Sequence, residues 1–147
     1  MPRDRDVRQY DDRSDGYEGG WRGNLHRRIA DRSADIAIAC APKPKHILDI
    51  GCGTGYLQRQ LAERCPDTDD LVGIDPAPGM IEAAIHANDG SRVRFGTGVA
   101  EHLSYPDEVF DLIIMTTSFD KSPKTDHCAI RRNRSSNSTT GQCSDRA

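Results

Sequence analysis

The residues with chemical potential fall in three short stretches: Asp49 with the glycines Gly51, Gly53 and Gly55, the carboxylate Asp75, and the segment around Val99 and Ala100. The nine residues Ile47-Leu48-Asp49-Ile50-Gly51-Cys52-Gly53-Thr54-Gly55 read as an apolar strand running into a glycine-rich turn that opens a helix. Such a turn brings main-chain N–H groups up to a ligand, because no Cβ holds the ligand off. A dinucleotide fingerprint requires G-x-G-x-x-G, whereas the spacing here is G-x-G-x-G and Tyr56 stands where the third glycine would fall. Asp49, two residues before the first glycine, would repel a pyrophosphate and attract an ammonium group. These features favour a nucleotide bearing an amino acid over NAD, with an NAD-dependent oxidoreductase as the lesser alternative. Asp75 lies 20 residues after Gly55, at the spacing where one carboxylate accepts from both hydroxyls of a ribose; it also suits a cap of the following helix.

No metal is expected. His26, His86 and His102 lack ligand spacing, and Cys40, Cys52, Cys65, Cys128 and Cys143 contain no C-x-x-C pair. An odd number of cysteines fits no disulfide framework, so they read as cytosolic thiols, with Cys52 a small space-filler in the turn.

Four spaced motifs between His46 and Asp120 give the chain a resemblance to the class I S-adenosylmethionine-dependent methyltransferases of the small-molecule type. The first is Leu48-Asp49-Ile50-Gly51-Cys52-Gly53-Thr54-Gly55, and the second is Asp75-Pro76-Ala77-Pro78-Gly79-Met80. The third runs from Gly98-Val99-Ala100-Glu101 through Leu103 to Phe110-Asp111, and the fourth is the strand end Thr116 to Asp120. The resemblance implies that the glycine turn holds the methionine part of S-adenosylmethionine and that Asp49 helps to hold its ammonium group. It further implies that Met80 lines the adenine, although plain core is an equal reading, and that adenine lies near Val99 and Ala100. Val99 departs from the pattern, because the family usually has there an Asp that accepts from the adenine amino group. Main-chain groups near Val99 and Ala100 would replace it, or Glu101, which otherwise is a solvent-facing helix start. The acceptor side falls at Thr116 to Asp120, and no catalytic base is assignable.

The elements that must position these residues alternate, which implies an α/β fold. From Asn24 to Ala41, Leu25, Ile29, Ile36 and Cys40 suggest one helical stripe ended by Pro42 and Pro44. Trp21 would anchor this helix to the sheet or, with Tyr17, cover the cofactor. Strand one is His46–Ile50, followed by a helix with Leu57 and Leu61 that stops at Cys65-Pro66. Strand two ends at Asp75; its helix begins near Pro78, shows Ile81, Ala84, Ile85 and Asn88 on the inner face, and ends at Asn88-Asp89-Gly90. Strand three spans about Arg92 to Thr97, and strand four spans Phe110 to Thr117, apolar enough for burial on both faces. By resemblance the architecture is a Rossmann-like three-layer α/β/α sheet, here incomplete, with strands 1 to 4 in the order 3-2-1-4.

At 147 residues the chain suits one domain, and its net charge of −3 gives no general basic field for nucleic acid. Residues 1–20 are rich in Asp, Arg and Gly and read as a disordered leader, followed by a partial methyltransferase domain over 21–120. Residues 121–147 hold six Lys or Arg against two Asp and contain a single Ile as their only aliphatic beyond Ala. They read as a disordered basic Ser/Thr/Asn/Arg-rich tail or as replaced, frameshifted sequence. Strand four would then be an exposed, association-prone edge, and the chain a truncated or degenerate fragment without activity. No apolar run approaches membrane-spanning length and the basic run lacks interleaved aromatics, so the expectation is a cytoplasmic protein with a small-molecule acceptor, no membrane partner and no nucleic acid.

Overall fold

The computed structural model describes residues 20–116 and 128–132. Within them the chain forms α1 (Gly20–Cys40), β1 (His46–Ile50), α2 (Tyr56–Arg64), β2 (Asp70–Asp75), α3 (Pro78–Ala87), β3 (Arg94–Thr97), β4 (Leu112–Thr116) and β5 (Cys128–Arg132). The strands make one sheet in the order β3-β2-β1-β4-β5. The first four are parallel, as the order 3-2-1-4 anticipates.

β5 was not anticipated. It pairs antiparallel with β4, matching Leu112 to Arg132 and Thr116 to Cys128, so β4 is interior and not an edge. It also lies inside the stretch read as a disordered tail. The physical reason is that an apolar strand with one unpaired side accepts almost any extended segment, since the pairing groups belong to the main chain. The remainder of that stretch, like the leader before Gly20 and the residues Tyr17 and 117–120, lies outside the described residues.

Register divides the strand side chains between two cores. Ile47, Leu71, Leu112 and Ile114 face Leu57 and Leu61 of α2 and Ala34, Ala37 and Ala41 in and just after α1. The stripe of α1 is therefore built from small residues and not from Leu25, Ile29, Ile36 and Cys40; Leu25 is exposed. Alanines let α1 approach α2 closely, and that contact decides which face turns inward. Trp21, 72% exposed, does not anchor the helix.

The second core joins Leu48, Ile50, Val72 and Ile74 to Phe110, with Tyr105, Ile113 and Met115 alongside. Tyr105 meets Phe110 edge-on at 5.0 Å. Ile113 and Met115 are only half-buried, so β4 is fully buried on its helical face alone. Among the described residues, the segment before β4 occupies this side where the three-layer reading places helices.

α3 packs on β2 and β3 with Met80, Ile81 and Ala84 buried, while Ile85, expected on the inner face, is 56% exposed. Asn88 ends this helix and is buried, its side-chain amide donating to the Ala84 carbonyl at 2.7 Å.

Candidate functional site

The turn between β1 and α2 holds its shape through main-chain bonds to the neighbouring strand. The N–H groups of Gly51 and Cys52 donate to the Ile74 carbonyl at 2.7 and 3.0 Å. Gly51, Gly53 and Gly55 all have positive φ, of 79°, 55° and 77°. At Gly55, the N-cap of α2, a Cβ would also lie 2.7 Å from Asn88 Nδ2 and from Phe95 Cζ. That glycine is therefore required by packing against α3 and β3, a role different from the ligand approach expected of it. Gly73 of β2, overlooked in the sequence, has the same character: its Cβ would fall 2.9 Å from Cys52 Cβ and 3.0 Å from Phe95 Cδ1. A glycine inside a strand, opposite the turn, was the signal available.

Asp49 and Asp75 have contrasting surroundings. Asp75 is half-buried at the end of β2, where Oδ2 accepts from the Gly53 N–H at 3.0 Å and Oδ1 from the Ala77 N–H at 2.9 Å. It does not cap α3, whose N-cap is Ala77 followed by Pro78. Asp49 is 1% exposed, and Gln58 Nε2 donates to its Oδ2 while its Oδ1 has no partner. Burial pushes the Asp49 carboxyl up to about 7; the Gln58 bond lowers it and the nearby Asp75 raises it. Gln58 itself is fully buried. As a polar residue on the inner face of α2, between Leu57 and Leu61, it carried a sequence signal that went unread.

Asp49 lines a cavity of about 60 Å³ together with Gly51, Gly53, Thr116 and, from α1, His26 and Arg27. This is room for a few waters or one small charged head group. Gly55, Asp75, Met80, Val99 and Ala100 lie outside it. Two of them are tied to its rim nonetheless: Asp75 through Gly53, and the Val99-Ala100 segment through the Gly98 N–H, which donates to the Asp75 carbonyl at 3.1 Å. Met80 is 1% exposed and belongs to the core. Cys52 is buried beside both carboxylates; burial first, then Asp49 and Asp75, push its thiol well above the ordinary range, which fits a space-filler and not a nucleophile.

The cavity lies outside the carboxyl ends of β1 and β4, where open parallel sheets place ligands. Residues 47–135 match the family described as Methyltransferase domain. The chain belongs to that family. A ubiquinone biosynthesis O-methyltransferase from Azorhizobium caulinodans is 45% identical over 74 residues, covering 49% of this chain and 28% of the relative. A demethylmenaquinone methyltransferase from Roseiflexus castenholzii is 36% identical over 117 residues, covering 80% of this chain and 44% of the relative. The chain thus spans less than half the length of either relative. Among solved structures, the SAM-bound amino pentose methyltransferase from Micromonospora echinaspora superposes with a TM-score of 0.51 at 29% identity, covering 65% of this chain and 40% of that one. The four-strand parallel order and the glycine turn of this methyltransferase domain are those the sequence motifs implied.

Proposed function

We propose that this methyltransferase domain binds S-adenosylmethionine and serves methyl transfer to a small-molecule acceptor. One observation carries the reading: a buried carboxylate with one oxygen unpartnered, Asp49, lines a cavity beside Gly51 and Gly53 of the turn. An unpaired buried acceptor is costly unless a donor arrives, and an ammonium group supplies three. Asp49 would take the ammonium group, Gly51 and Gly53 the adjoining methionine atoms, Asp75 the ribose hydroxyls, and the Val99-Ala100 main chain the adenine. When bound, the cofactor supplies an electrophilic methyl on sulfonium. The chain's residues hold and orient it, and alignment is most of what such a transfer needs. Relatives named for methylation of quinone precursors and of an amino pentose support an acceptor of small-molecule class.

A second reading, a degenerate domain that holds the nucleotide weakly and transfers no methyl group, is favoured by Val99, apolar where the family pattern has an acceptor. Among the described residues Cys52 and Cys65 form no disulfide, which supports a cytoplasmic setting. Among the described residues no helix is long and apolar enough to cross a membrane.

Calorimetric titration with S-adenosylhomocysteine tests the assignment. Asp75→Ala removes charge-assisted hydrogen bonds of about 1.5–3 kcal/mol, and affinity should fall roughly ten- to a hundredfold. Equal affinity of the two forms would sink the ribose assignment. Methyl transfer from labelled S-adenosylmethionine to a quinone precursor by the unmodified chain would exclude the degenerate reading.

A further inference from the structure

Gln58 is a buried polar side chain that the proposed cofactor contacts do not use. It sits wholly inside the molecule on α2, at the helical face otherwise occupied by Leu57 and Leu61. It does not line the cavity, so it cannot meet a ligand there directly. What it does is occupy Oδ2 of Asp49, leaving Oδ1 as the acceptor without a partner. A polar side chain displaces an apolar one from a core at a cost unless it serves a bond, and here it serves one bond while its own Oε1 stays unpartnered. That incomplete pairing is poor economy for a purely structural amide.

We infer that Gln58 is a positioning residue: it fixes the Asp49 carboxylate so that Oδ1 meets the amino group of a bound S-adenosyl amino acid. The inference rests on the proposed cofactor reading. Without Gln58 the carboxylate is free to rotate, and both of its oxygens compete for one donor group. The other charged and titratable groups around the cavity are His26 and Arg27 from α1, Tyr56 from α2, Cys52 in the turn, and Asp75 at the end of β2. Among these neighbours Asp75 adds to the burial that disfavours ionised Asp49 and the Gln58 bond opposes it, so this amide also keeps the carboxylate available as an anion near neutral pH.

The test uses two nucleosides that share the adenosine and differ in the amino-acid part. The full 147-residue chain is titrated with S-adenosylhomocysteine and with 5′-methylthioadenosine, as the unmodified protein and as Gln58→Met, which keeps the volume and loses the donor. S-adenosylhomocysteine should bind the variant about tenfold more weakly, as for one net hydrogen bond, with methylthioadenosine unchanged. Equal weakening of both ligands would show a packing role, and no change in either would show no role; each overturns the inference while leaving the cofactor reading intact. Failure of the unmodified chain to bind either nucleoside would overturn the cofactor reading itself. A second readout needs no variant. The Gln58 side-chain amide proton, followed by NMR, should move on addition of S-adenosylhomocysteine and stay in place with methylthioadenosine, and an amide unmoved by bound S-adenosylhomocysteine would refute the positioning role.

Discussion

At the amino end of the parallel strands, carboxylates are spent on holding the chain together. Asp111 accepts from the main-chain N–H groups of Lys45 at 2.8 Å and His46 at 3.0 Å, clamping the start of β1 to the approach to β4. Asp70 accepts from Arg94 at 2.5 Å and lies 3.1 Å from His46 Nδ1, linking β1, β2 and β3. At the carboxyl end, Asp49 is more deeply buried than either and has only one of its oxygens occupied. The same side-chain chemistry thus serves cohesion at one end of the sheet, and again in Asp75 at the other, where Asp49 alone of the two keeps an oxygen in reserve. The contrast teaches that an incomplete hydrogen-bond set, more than the presence of an acid, marks the end where a ligand belongs.

The harshest way to break this contrast is to deform the turn itself. Gly55→Ala places a Cβ against Asn88 and Phe95 at a φ of 77°, so overpacking and backbone strain combine. Denaturant unfolding should show a loss of about 2–4 kcal/mol, and S-adenosylhomocysteine binding should weaken as well. Wild-type stability would mean that α3 moves aside freely.

Substitutions at the two ends should have opposite signatures. Asp111→Ala leaves two main-chain N–H groups unpaired and should destabilise by about 2 kcal/mol, with nucleoside affinity unchanged under folding conditions. Asp49→Asn should do the reverse. It removes a buried carboxyl that is costly to ionise, raising stability at pH 8 by about 1–3 kcal/mol, and weakens S-adenosylhomocysteine binding at least tenfold. If both variants change stability in the same direction, the distinction between the two ends fails.

The pH dependence sharpens the same point. The Asp49 carboxyl is raised from 3.8 to about 7, so the folded state binds the proton more tightly than the unfolded state does. Its contribution to stability is complete below about pH 4 and is lost as pH rises through about 7. Urea midpoints measured between pH 5 and 8 should fall on this account in the unmodified chain, and the decline should be shallower in Asp49→Asn.

The smallest effect concerns adenine. Val99→Asp restores an acceptor and should strengthen S-adenosylhomocysteine binding by about 1 kcal/mol. Weaker binding in the titration would mean that the segment following β3 does not face the nucleoside.

Local patterning was sufficient wherever adjacent residues determine the outcome. The five residues of β1, the breaker at Cys65-Pro66, the acid at the end of β2 and the glycine spacing are all properties of neighbours, and they placed the strands and the turn correctly, while the strand order came from the family resemblance. The methyltransferase family was legible for the same reason, because its motifs are short and contiguous. Three things were decided only by the tertiary structure. The alanine face of α1 won over its larger aliphatics because close approach to α2 fits small side chains. β5 formed because pairing with β4 uses main-chain groups that composition does not report. The partners of Gln58, Gly73 and Gly55 lie 9, 21 and 33 residues away at Asp49, Cys52 and Asn88, distances at which only the folded chain brings atoms together.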